Sequence, residues 1–200
     1  MEKLQNTPTM GRRTVKRAEH ALSPWVRLVE RTVATDGADD AVFHSFAQTD
    51  YVCIVAVTPK NDLVCVRQYR PAVDAVTLEL PAGMLGADEA PLDCAVRELA
   101  EETGFRPASS PIALGCFYPD TGRLENRFWA FVARDLVPVP NFTAESEVAR
   151  VLVPVAEAPR LIADGRFNHA MHIAALGLAI LRGAVPAFGP MPWPHAKARA

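Results

Sequence analysis

From Trp25 onward the chain alternates between apolar and polar positions at the period of β-strands. WVRLVERTVA and AVFHSF, parted by the turn-prone residues 35–40, predict an N-terminal hairpin. YVCIVAV at 51–57 and LVCVRQY at 63–69 flank a Thr58-Pro59-Lys60-Asn61-Asp62 turn and predict a second hairpin. After a short strand near Thr77 to Leu80, the period changes. Leu92, Ala95, Val96 and Leu99 recur at i, i+3, i+4 and i+7, which predicts a helix opened by Pro91 and stopped by Gly104. Strands are expected at 112–118, 127–133 and 150–155, and a second helix at 169–181. The stretch from Gly183 carries Pro186, Pro190, Pro192 and Pro194 and cannot continue that helix.

This pattern divides the chain into four expected segments. Residues 1–24 are polar and weakly periodic, so they are expected to be loosely held or ordered only against a partner subunit. Residues 25–50 form a β extension, 51–182 the main domain and 183–200 a proline-rich tail. Strands surrounding helices without regular βαβ alternation suggest a mixed, sandwich-like α/β/α or α+β domain.

Half of the 200 residues are hydrophobic, enough for a sizeable core. With 21 Lys+Arg against 23 Asp+Glu the net charge is −2, and no basic excess exists to coat nucleic acid. The longest apolar stretch, 173–181, is too short for a bilayer. Four widely spaced cysteines match neither a zinc site nor a disulfide scaffold. A soluble, cytoplasmic protein with no membrane or nucleic-acid partner is the expectation.

Glu98, Glu101 and Glu102 stand at i, i+3 and i+4 on the predicted helix, beside its apolar stripe. Like charges at that spacing repel, and Arg97, placed to pair with Glu101, cannot balance them alone. Hard oxygen ligands so gathered suit Mg²⁺ or Mn²⁺. A solvated acidic helix face would show the same spacing.

The longer segment decides between these readings. Gly83, five residues, Glu89, seven residues and then Arg97-Glu98-Leu99-Ala100-Glu101-Glu102-Thr103-Gly104-Phe105 resemble the Nudix box, GX5EX7REUXEEXGU, at every specified position. Seven fixed positions, each met by chance in about 5–7% of residues, put a fortuitous match below about one in a million. The resemblance implies the Nudix fold, with a mixed β-sheet, and hydrolysis of a nucleoside diphosphate linked to another group, with Mg²⁺ or Mn²⁺ as cofactor. It implies that Glu98, Glu101 and Glu102 and the Ala82 carbonyl hold the metal. Arg97 and Glu89 would orient those carboxylates, and Gly83 and Gly104 would shape the loop-helix-loop. A general base outside the box is expected from Glu145 or Glu147, because ADP-ribose hydrolases of this family use a late-loop glutamate.

Flanking residues narrow the substrate. Gln68-Tyr69-Arg70 followed by Glu79-Leu80-Pro81-Ala82-Gly83 is similar to a signature of ADP-ribose and related nucleotide-sugar pyrophosphatases. Arg67 or Arg70 is then expected to grip the diphosphate, with pairing to Glu79 as the alternative for either. The subclass also implies a homodimer built through the N-terminal β extension. There Trp25, Phe43 or Phe46 would stack on adenine, or else pack in the core. Asp120 on the 119–126 loop is a candidate for the distal sugar, although turn formation explains it equally. Pro119 stands one or two residues earlier than the subclass's proline. His169 and His172 are read as ordinary helix surface. Alternative substrates are an oxidised nucleoside triphosphate, a dinucleotide or a coenzyme A derivative, and a non-catalytic nucleotide sensor is the reading outside enzymes.

Overall fold

The predicted N-terminal hairpin forms in a computed structural model that describes residues 11–144 and 147–189. Strands β2 (Arg27–Thr35) and β3 (Ala38–Ala47) pair antiparallel around Gly37, whose φ of 77° closes the turn. A further strand, β1 (Arg12–Ala21), pairs antiparallel with β2 inside the segment expected to be loosely held. Its sequence, RRTVKRAEHA, is charged and almost wholly exposed, as befits an edge strand protected by like charge, and it lacks the alternation that reveals strands with a buried face. This three-stranded sheet and residues 117–127 make one unit of the chain; Tyr51–Cys116 and the chain from Phe128 make the other. In the first unit Glu125 accepts from Arg31 Nη1 at 2.5 Å and Ser45 Oγ at 2.6 Å, and Glu125 N–H donates to Phe46 O at 3.0 Å. These bonds tie the 117–127 segment to β2 and β3.

The second unit is built on β4 (Tyr51–Ala56), β5 (Asp62–Arg70), β6 (Ala75–Glu79), β7 (Ala82–Met84), β8 (Phe105–Pro107), β9 (Ile112–Phe117), β10 (Phe128–Ala133), β11 (Leu136–Pro138) and β12 (Val148–Pro154). The sheets run β7-β4-β10-β9, β12-β5-β6 and β11-β8. The expected hairpin of 51–57 with 63–69 is therefore corrected: β4 and β5 enter different sheets and meet only at a Val57–Leu63 bridge. β4 pairs in parallel with β10, and Val52 to Val57 are all buried. Strands covered on both faces read as continuous apolar runs, and such a run does not name its partner.

Successive side chains of β4 point to opposite faces. Val52, Ile54 and Ala56 pack with Cys94, Ala95 and Leu99 of α1 (Pro91–Thr103), together with Phe131, Ala133 and Leu136. The other face meets α3 (Ala170–Leu181), reached through the short α2 (Ala158–Ala163). Helices on both sides of a mixed sheet give the expected α/β/α sandwich. Among the described residues no helix is long and apolar enough to cross a membrane.

Candidate active site

Helix α1 carries the three glutamates because its apolar stripe is fixed against β4. Burying Cys94, Ala95 and Leu99 turns Glu98 and Glu102 toward the start of β7. Pro91 opens the helix, and Gly104, at φ 69°, closes it by donating its N–H to Ala100 O. Glu102 is buried, and its Oε2 accepts the Ala82 N–H at 3.0 Å. Glu98 lies over Gly83: a Cβ built on that glycine would come within 2.6 Å of Glu98 Oε2, so only glycine leaves room. Glu101, with its side chain 49% exposed, stands on the solvent side.

Arg97 holds this group together with all five of its N–H donors. Nε and Nη2 grip Glu89 at 2.7 and 2.9 Å, Nη1 reaches Glu98 Oε1 and Glu101 Oε2 at 2.8 Å each, and Nη2 also touches Cys94 Sγ. Glu89 is tied further by the Gly86 N–H at 3.0 Å. Arg97 and that amide pull the Glu89 carboxyl down to about 2. The same bonds raise Arg97, so it stays a cation throughout. Glu98 moves the other way: burial pushes its carboxyl up against the pull of Arg97.

Three carboxylates share the Arg97 guanidinium, and Glu102 adds a fourth negative charge beside them. An oxygen-only donor set with excess negative charge, a partly buried carboxylate and a glycine of β7 beside it fits a hard divalent cation. The Ala82 carbonyl belongs to the same strand.

The C-terminal end of α1 is anchored by residues that the sequence did not single out. Phe142 packs on Gly104, where a Cβ would sit 2.5 Å from its ring. Val139 N–H donates to Gly104 O at 2.8 Å. Arg150 donates to Thr103 O at 2.5 Å and lies over the Phe105 ring. The 139–144 segment is thereby docked on the box. Glu145 lies outside the described residues; Glu147 is exposed in the turn just before β12 and forms no ion pair among the described residues.

Arg70 takes the alternative reading. Its Nε and Nη2 meet both Glu79 oxygens at 2.9 and 2.7 Å, and Thr77 Oγ1 donates to the same carboxylate at 2.6 Å. Burial by itself would raise Glu79, which is 1% exposed, but Arg70 and Thr77 outweigh it and hold the carboxyl at about 2. Arg67 is exposed and has no ion-pair partner among the described residues. Arg67, Arg70, Glu79 and His169 line a cavity of about 780 Å³ with Val76, Leu78 and Leu161.

The histidines are corrected outright. His172 is fully buried and His169 half-buried, with their rings stacked 3.7 Å apart beneath Glu79. The signal lay in the sequence of α3, AMHIAALGLAIL, which is apolar all round and so reads as a buried helix. In the first unit Trp25 is 64% exposed. Phe43 lines a separate cavity of about 690 Å³ with Arg12, Arg31 and Tyr118. Asp120 caps its own turn by accepting the Gly122 N–H at 2.8 Å.

A solved structure of an ADP compounds hydrolase superposes with a TM-score of 0.75 over 90% of this chain and 98% of that one; at 22% identity, this likeness shows the fold. The ADP-ribose pyrophosphatase of Bacillus subtilis (strain 168) is 34% identical over 85 residues, 42% of this chain and 45% of that protein. The ADP-ribose pyrophosphatase of Mycobacterium tuberculosis (strain ATCC 25618 / H37Rv) is 31% identical over 131 residues, 62% of each chain. The matches thus span less than two thirds of either relative. The model of the NUDIX domain matches residues 47–176, from the end of β3 into α3. With that match covering more than half of its length, the chain belongs to the NUDIX domain family.

Proposed function

We propose that the protein hydrolyses the diphosphate bond of ADP-ribose or a related nucleoside-diphosphate sugar, giving a nucleoside monophosphate and a sugar phosphate. The observation that carries this reading is the gathering of Glu98, Glu101 and Glu102 beside Ala82 and Gly83 of β7 in a site of excess negative charge. Glu98, Glu101, Glu102 and the Ala82 carbonyl would hold Mg²⁺ or Mn²⁺. A bound divalent cation supplies neutralisation of the diphosphate and a more acidic water. Arg97 keeps three of the carboxylates in register, and Gly83 leaves the space that Glu98 occupies. A carboxylate outside the box would take the water's proton, with Glu145 and Glu147 as the candidates.

The cavity beneath β5 and β6 supports a nucleotide substrate. It offers apolar wall for a planar group and, for phosphate, the guanidinium of Arg67, which has no ion-pair partner among the described residues. Glu79 lines the cavity and is followed directly by the Leu80-Pro81 lead into β7, whose Ala82 meets Glu102. The names of the two relatives, both ADP-ribose pyrophosphatases, favour that sugar. In the first unit, Trp25 and Phe43 on the β extension are the candidates to stack on adenine, and residues 25–50 to join two copies as a homodimer.

A panel of nucleotide sugars, dinucleotides and triphosphates, assayed for released monophosphate with Mg²⁺ and with Mn²⁺, tests the reading. ADP-ribose or another nucleoside-diphosphate sugar should turn over fastest. Faster release from a triphosphate or a coenzyme A derivative would reject the substrate class.

A further inference from the structure

His172 is the only polar side chain in α3, and both of its ring nitrogens are engaged. Nδ1 receives the Leu80 N–H at 3.1 Å, and Nε2 lies 2.9 Å from Tyr51 Oη. A backbone amide can only donate. Nδ1 is therefore the acceptor, and the neutral ring carries its proton on Nε2, donating to the Tyr51 oxygen. This removes His172 as a metal ligand. The Glu79, His169 and His172 ligand atoms approach within 4.8 Å of one another, yet Glu79 is already taken by Arg70 and Thr77, and a cation there would face the Arg70 charge.

The amide that His172 holds stands just ahead of β7, whose Ala82 and Gly83 meet the carboxylates. Leu80 is fully buried and is bonded to α3; Pro81 O accepts the Ile54 N–H of β4 at 3.1 Å; Ala82 N–H donates to Glu102 of α1. Three consecutive residues are thus pinned by three different elements. Without an acceptor at Nδ1 the Leu80 amide would be a buried, unpaired donor, and the lead into β7 would turn to satisfy it.

We propose that His172 is a positioning residue for the metal-binding carboxylates: through the Leu80 amide it holds the Leu80-Pro81 lead into β7, so that Ala82 meets Glu102 and Gly83 leaves room for Glu98. Partners one step removed from metal ligands fix ligand geometry in this way. The inference rests on the proposed role of Glu98, Glu101 and Glu102, and its test separates the two.

The measurement is Mn²⁺ binding to the full chain, followed by electron paramagnetic resonance of free Mn²⁺. His172→Asn places Oδ1 where Nδ1 stood, whereas His172→Gln places its polar atoms one bond farther out. Gln should weaken Mn²⁺ binding about tenfold or more and lower kcat with KM little changed, while Asn should keep most of the affinity. Equal affinities in the two variants would overturn the proposal. Glu102→Gln is the control: if it binds Mn²⁺ like the wild type, the metal reading has failed, and if it alone loses Mn²⁺, only the role of His172 has. Nitrogen-15 NMR of the wild-type ring needs no variant to fold. It should find the proton on Nε2, and a proton on Nδ1 would overturn the proposal.

Discussion

Gly83 and Glu98 occupy one space: the carboxylate of the helix residue lies where the strand residue would have a Cβ. Glycine is required there for room, and β7 and α1 are therefore seated on each other at the point where the carboxylates converge. Gly83→Ala should displace Glu98 and lower kcat about tenfold or more, with far-ultraviolet circular dichroism unchanged. Steady-state kinetics on a nucleoside-diphosphate sugar check it; wild-type turnover would show that Glu98 need not sit there.

Arg97 gathers Glu89, Glu98 and Glu101 through one planar fork, which lysine cannot reproduce. Arg97→Lys should lower kcat about tenfold or more and soften the fold by about 1 kcal/mol. Urea unfolding and kinetics measured together test this, since an equal loss in Glu89→Gln would identify the Glu89 pair as the main contact.

The box itself was readable because its constraints are local. The Leu92, Ala95, Val96 and Leu99 stripe marks the helix, Gly104 its end, and the glutamates follow from helical spacing. Other features depend on neighbours far along the chain. Val52 to Val57 look the same whether their partner is β5 or β10, so a hairpin was expected where two sheets diverge. Strands β7, β8 and β11 are three residues long, too short to show a period. Arg70 offered two partners in the sequence, and only the register of Val66 against Glu79 and Arg70 against Ala75 brings it to Glu79.

That Arg70–Glu79 pair sets an acid limit on stability. Glu79 has a folded value of about 2, below its ordinary range. The pair's contribution is therefore complete above the unfolded carboxyl's pKa and is lost as pH falls from there through about 2. Arg70→Met leaves the buried carboxylate unpaired and should cost about 2–3 kcal/mol near neutrality, less than for a dry pair because 37% of the Arg70 side chain meets water. Urea unfolding from pH 7 to 3 should show the gap between wild type and Arg70→Met narrowing toward acid; a constant gap would contradict the pairing.

Arg67 and Arg70 are separable by kinetics. Arg67 has no ion-pair partner among the described residues and lines the cavity, so Arg67→Ala should raise KM for a nucleoside-diphosphate sugar about tenfold and leave the melting temperature unchanged. An unchanged KM would take phosphate binding away from Arg67.

Phosphorus NMR of ADP-ribose incubated with the full chain and Mg²⁺ addresses the proposed chemistry without intermediaries. The wild type should replace the diphosphate resonances with those of AMP and ribose 5-phosphate, and folded Glu102→Gln should leave them intact. Persistence of the diphosphate with the wild type, or equal cleavage by Glu102→Gln, would contradict the account.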